Sequence, residues 1–123
     1  MHYSSLLLLY VRSPQASAAF YEKLLASPPL ESSDTFAMFV MKSGLKLGLW
    51  ARDGVLPGAG PETGGSELAF CLESNAAVDE QYRAVSALGI AIAQEPTHMD
   101  FGYTFLALDP DGHRLRIYAR AGD

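Results

Sequence analysis

Cysteine, basic residues and long apolar runs are all scarce in this chain, and each shortage excludes something. Cys71 is the one cysteine among 123 residues. It can form no internal disulfide and no zinc module built on several thiolates, so the chain reads as made for a reducing compartment, with a cytoplasmic location as the default. Nine Lys and Arg stand against fourteen Asp and Glu, a formal charge of −5. That is the wrong sign for a phosphate backbone, so no nucleic acid partner is expected. An acidic balance ordinarily serves solubility, and as a binding argument it leans toward a cationic small molecule. The longest aliphatic run, Leu6 to Leu9, is far short of the roughly 20 residues that cross a bilayer. No basic head, apolar stretch and small-residue cleavage site opens the chain, so neither a membrane nor a signal peptide is expected.

What is present is a packed domain's composition: 49% hydrophobic and 19% charged, over a length that suits one domain, residues 1–123. Tyr3 to Val11 reads as a strand. Ser13-Pro14 then supplies an N-cap and first-turn proline for a helix over Pro14 to Ala26, with Ala16, Ala19, Phe20 and Leu24 as its apolar face and Pro28-Pro29 as its end. Phe36 to Met41 and Leu45 to Trp50 read as strands joined by a Lys42-Ser43-Gly44 turn. The segment from Ala51 to Ser66 is dense in Gly and Pro, either a connection between half-modules or a lid over a cavity.

The order then recurs. Glu67 to Glu73 reads as a strand, and Ser74 or Asn75 as the cap of a helix carrying Val78, Tyr82, Val85 and Leu88, closed by Gly89. Ile90 to Gln94, Tyr103 to Leu108 and His113 to Ala119 follow as strands, the last two joined by the Asp109-Pro110-Asp111-Gly112 turn. The chain is therefore expected to be α+β, with two βαβββ modules (about 1–53 and 66–123) forming a cupped mixed sheet. Alternation puts Leu115 and Ile117 in the core and Arg114, Arg116, Tyr118 and Arg120 on the other face. That second row is either a solvated sheet face or the lining of a cup.

Three stretches carry a resemblance. Ser17-Ala18-Ala19-Phe20-Tyr21 with Leu24-Leu25, Glu67-Leu68-Ala69-Phe70, and Asp109 to Arg116 together resemble the vicinal oxygen chelate superfamily, which contains glyoxalase I, extradiol dioxygenases and bleomycin-resistance proteins. For metal-dependent members the resemblance implies ligands at three places, here Leu6, Glu67 and Arg116. Of these only Glu67 has a donor for a metal ion, and a guanidinium repels one. No metal and no cofactor are expected, and Arg116 with Glu67 is read as an ion pair or a hydrogen-bonding station. The departure implies the drug-binding resistance branch, with homodimers whose clefts are built from both chains.

The expected function is a metal-free binding protein that sequesters an aromatic small-molecule or peptide antibiotic at the dimer interface. The alternative is a metal-dependent enzyme of the glyoxalase, dioxygenase or thiol-transferase type. Trp50, at a strand end before the Gly and Pro loop, is a candidate ligand contact or a packing residue. Phe101, Gly102 and Tyr103 form a second candidate, Gly102 admitting a ring close to backbone. Met38, Phe39 and Met99 are candidate walls or core, and Glu67, Arg116 and Tyr118 the candidate floor. His2, His98 and His113 share no metal spacing, no nucleophile elbow or phosphate loop is present, and Cys71 reads as a small buried hydrophobe.

Overall fold

The computed structural model describes residues 1–2, 4–60 and 64–122. It divides into two compact units, Met1–Glu62 and Thr63–Asp123, each a four-stranded mixed sheet covered by one helix. The start of the first strand expected at Tyr3 lies outside the described residues. No helix among the described residues is long and apolar enough to cross a membrane.

The first unit runs β1 (Leu6–Val11), α1 (Pro14–Leu25), β2 (Glu31–Ser32), β3 (Phe36–Val40) and β4 (Lys46–Ala51). Its sheet order is β1-β4-β3-β2, with β1 parallel to β4 and the rest antiparallel. Ser13 caps α1 by accepting from the Ala16 N–H at 3.2 Å, and Pro14 occupies the first turn. The helix ends at Ala26, whose left-handed backbone (φ 54°) sends its N–H to the Glu22 carbonyl. Pro28 and Pro29 lie beyond that stop and only prevent the helix from resuming.

The buried face of α1 is also rotated from the one expected. Pro14, Ser17, Ala18 and Tyr21 are buried, whereas Ala16 and Ala19 are exposed and Phe20 and Leu24 half-buried. Small residues at 17 and 18 let the helix sit close to the sheet, where fully buried Tyr21 meets Phe39 at a ring distance of 6.4 Å. The short strand β2 went unread because Glu31 and Ser32 are both exposed and carry no alternation.

The second unit runs β5 (Glu67–Cys71), α2 (Asn75–Ala87), β6 (Ile92–Met99), β7 (Gly102–Leu108) and β8 (Arg114–Arg120), in sheet order β5-β8-β7-β6. Ser74 caps α2 by accepting from the Ala77 N–H at 3.0 Å, and Gly89 (φ 77°) follows the C-terminal residue Leu88. Val78 and Val85 are fully buried, but Leu88 is 50% exposed, so the apolar face of α2 is shorter than the sequence pattern. The β7–β8 turn is tied by Asp109, whose Oδ1 accepts from the N–H groups of Asp111 (2.9 Å) and His113 (2.8 Å). Strand β6 runs five residues past Gln94. Glu95-Pro96 lies inside the strand, which an edge position with two register shifts accommodates.

Candidate functional site

A strand sends alternate side chains to opposite faces, and β8 does this without interruption. Leu115, Ile117 and Ala119 are buried on the α2 side, while Arg114, Arg116, Tyr118 and Arg120 occupy the other. Register carries that second face across the sheet: Ala69 and Cys71 of β5 pair with Arg116 and Tyr118, and Leu106 and Thr104 of β7 pair with the same two residues.

Arg116 is held by acceptors on three strands. Its Nε–H donates to Glu67 Oε1 at 2.9 Å and its Nη2–H to Glu67 Oε2 at 2.8 Å, a bidentate pair. Its Nη1 group donates to Gln94 Oε1 at 2.8 Å and to Thr104 Oγ1 at 3.4 Å. Thr104, fully buried, is itself fixed by donating to the Ile117 carbonyl at 2.8 Å. The Arg116 side chain is 14% exposed and that of Glu67 31%, with Arg114 adding a longer contact of 3.8 Å to Glu67. Hydrogen bonding from Arg116 holds the Glu67 carboxyl below its ordinary pKa; burial opposes this, and the positive charges of Arg116 and Arg114 assist it. Reciprocally, the bond to Glu67 raises Arg116 further.

Beside this clamp lies an open hollow of about 670 Å³ bordered by Glu67, Ala69, Asp100, Phe101, Arg116, Tyr118, Arg120 and Ala121. That volume falls in the range of drug-sized sites, about 300–1,000 Å³. Phe101, 43% exposed, meets the Tyr118 ring edge-on at 5.7 Å, and the Arg116 guanidinium carbon lies 5.9 Å from the Phe101 centroid. The Phe101 carbonyl accepts from the Ala121 N–H at 2.9 Å, so the backbone that carries the ring is tied to the end of β8. The Tyr118 phenol is raised, first by its hydrogen bond with Cys71, against the opposing charge of Arg120. Cys71 itself is exposed on this face and is not the buried hydrophobe expected of it.

The structure therefore brings together Glu67, Phe101, Arg116 and Tyr118. Met99, 43% exposed, touches the outer end of the network, its Sδ accepting from Gln94 Nε2 at 3.5 Å. Tyr103 does not join them. It shares the α2-side row with Phe105, donates to Asp79 Oδ1 at 2.6 Å and packs on His98 at 4.6 Å; that bond to Asp79 raises its phenol. Gly102 admits no ring. It is buried at φ 153°, and a Cβ there would collide with the Ala119 carbonyl oxygen, so its role is close approach between neighbouring strands.

In the first unit Trp50 and Met38 share the face turned away from α1, with Trp50 half-buried and edge-on to Tyr10 at 6.2 Å. Phe39 points the other way and is 1% exposed, so it is core and not a ligand wall. Gln94, Asp100 and Thr104 are site residues that the sequence reading missed. Thr104 follows from register once β8 is placed. Gln94 was hidden by the β6 irregularities.

The residues at the three places where the resemblance implies metal ligands do not fit a metal ion. Leu6 has no donor, Arg116 is a fixed cation, and both Glu67 oxygens are bonded to it. Among the described residues no group of three or more His, Cys, Asp or Glu is placed to hold one.

The comparisons agree with this geometry at the level of fold. A solution structure of protein ATC0852 from Agrobacterium tumefaciens is 52% identical, with a TM-score of 0.88, covering 99% of this chain and 100% of that one. A glyoxalase-related enzyme from Fulvimarina pelagi has 20% identity and a TM-score of 0.84 over 98% of this chain and 89% of its own. Lactoylglutathione lyase from Agrobacterium tumefaciens has 20% identity and a TM-score of 0.76 over 95% of this chain and 92% of its own. At that identity the last two speak for the fold alone. No functionally curated protein matches the chain. A family profile matches residues 2–117, and with the paired βαβββ modules this places the chain in the Glyoxalase/Bleomycin resistance protein/Dioxygenase superfamily.

Proposed function

We propose that the chain is a metal-free binding protein that sequesters an aromatic, drug-like compound, with resistance or self-protection as the consequence. The observation that carries this reading is the Arg116–Glu67 clamp: both oxygens of the candidate carboxylate are bonded to a guanidinium. Support comes also from the hollow beside it, whose Phe101 and Tyr118 rings offer apolar area and orientation together. Two protomers pair in the cytoplasm, and each cleft is completed by its partner. Protection then follows mass action: bound compound is withdrawn from its target, and the effect lasts while sites outnumber molecules.

The test is recovery. Purified protein is mixed with a panel of aromatic antibiotics at equimolar and tenfold excess compound, and bound and free fractions are analysed by mass spectrometry. Retention at one molecule per site or fewer, with the compound recovered unchanged and retention lost in Phe101→Ala, is the expected result. Continued conversion of the excess compound sinks this reading and favours the metal-dependent enzyme of the same superfamily.

A further inference from the structure

The strand that carries the clamp gathers most of the basic residues of an acidic unit. Residues 1–62 contain five basic and five acidic side chains, whereas residues 63–123 contain four basic and nine acidic, so the whole net charge of −5 belongs to the second stretch. Three of those four basic residues, Arg114, Arg116 and Arg120, nevertheless project from alternate positions of one strand onto one face. Four of the nine acids lie off that face. Asp79 and Glu80 are on α2, with Asp79 bonded to Tyr103 on the opposite side of the sheet, and Asp109 and Asp111 form the β7–β8 turn. Of the two carboxylates that border the hollow, Glu67 is matched by Arg116 on both oxygens, which leaves Asp100.

Arginine carries five N–H donors. Four of those on Arg116 are taken by described residues, and the guanidinium still borders the hollow beside the Phe101 ring. With its plane locked on Glu67, Gln94 and Thr104, the fifth, on Nη2, is used by no described residue. A guest oxygen that carries negative charge gains most from such a donor, because charge-assisted bonds are about twice as strong as neutral ones. A guest ammonium meets the Arg116 guanidinium at that place, with Asp100 on the rim as its counter-charge.

Resting on the binding reading above, the geometry points to an aromatic acid as the guest: a ring seated against Phe101 and Tyr118, and a carboxylate turned toward Arg116 on the rim that Arg120 shares. The overall acidity of the chain suggests a cationic guest, and the local face reverses that suggestion.

Three probes of one shape separate the terms: 2-naphthoate, 2-naphthamide and 2-naphthylmethylamine, titrated into the full-length ¹⁵N-labelled protein at low ionic strength. The expected result is that naphthoate shifts the backbone signals of Phe101 and Tyr118 and the Arg116 Nε–H, with a Kd roughly tenfold below that of the amide and a larger margin over the amine. High salt narrows both margins. Arg120→Gln, which leaves the clamp intact, weakens naphthoate while leaving naphthamide in place. Glu67→Gln acts in the opposite direction and tightens naphthoate relative to the amine. Amide or amine binding at Phe101 and Tyr118 as tightly as naphthoate overturns the acid preference and leaves the aromatic hollow standing. No shift of Phe101 or Tyr118 with any of the three overturns the preference and the binding reading together. Conversion of a probe while naphthoate remains preferred counts against sequestration alone.

Discussion

On β4 the residues that face away from α1 are Lys46, Gly48 and Trp50; on β8, in the matching place of the second sheet, they are Arg114, Arg116, Tyr118 and Arg120. Around Gly48 the first face is apolar, with Leu8 and Phe36 leaning over the missing side chain. Around Arg116 the second is a network of charge-assisted bonds. The helix-facing rows, by contrast, are alike: Leu47 and Leu49 on β4, Leu115 and Ile117 on β8, all buried. One fold used twice therefore constrains only the row under the helix, and the opposite row is free to acquire chemistry.

The sharpest way to separate the two rows is to remove a ring from each. Phe39→Ala empties a core position and should destabilise the protein by about 3–5 kcal/mol in urea unfolding, whereas Phe101→Ala should leave stability within about 0.5 kcal/mol and abolish guest binding. Equal stability losses would break the comparison.

The glycines give the next largest contrast. Gly102→Ala sets a Cβ against the Ala119 backbone at positive φ and should cost roughly 3 kcal/mol or more. Gly48→Ala meets only the ends of the Leu8 and Phe36 side chains, at 2.7 and 3.0 Å, and should cost roughly 1 kcal/mol. Thermal unfolding of the two variants ranks them.

Sequence patterning was a reliable guide where one physical signal dominated. Ser13-Pro14, Ser74 and the Asp109 turn specify their local structures through single hydrogen bonds or fixed dihedrals, and all three are in place. The β8 alternation made Arg116 and Tyr118 legible for the same reason. Tyr103 misled because it is amphipathic: its ring suits a cleft as well as it suits the α2 side, and only the hydrogen bond to Asp79, 24 residues earlier, decides. The rotated face of α1 was illegible because Ala16, Ala19 and Phe20 are more apolar than Ser17, and close approach to the sheet selected size over hydrophobicity.

A smaller effect concerns pH. With the Glu67 pKa lowered in the folded state, the unfolded chain binds more protons at acidic pH. The clamp's contribution is therefore complete above the ordinary carboxylate range and is lost as pH falls through the lower folded value. Because Glu67 is partly exposed, that contribution is about 1 kcal/mol or less. Arg116→Gln should flatten the acid limb of the stability curve, measured by urea unfolding from acid to neutral pH, while Lys46→Gln on the first sheet should leave it unchanged.

The Arg116 guanidinium takes the carboxylate which a metal ion would need. Zn²⁺, Ni²⁺ and Mn²⁺, each titrated to stoichiometry against protein purified without chelator, test it through the Arg116 Nε–H and Glu67 signals. Neither is expected to move, and no ion is expected to survive gel filtration. Saturation at one ion per chain, with release of Arg116 from Glu67 and loss of binding in Glu67→Ala, would contradict it.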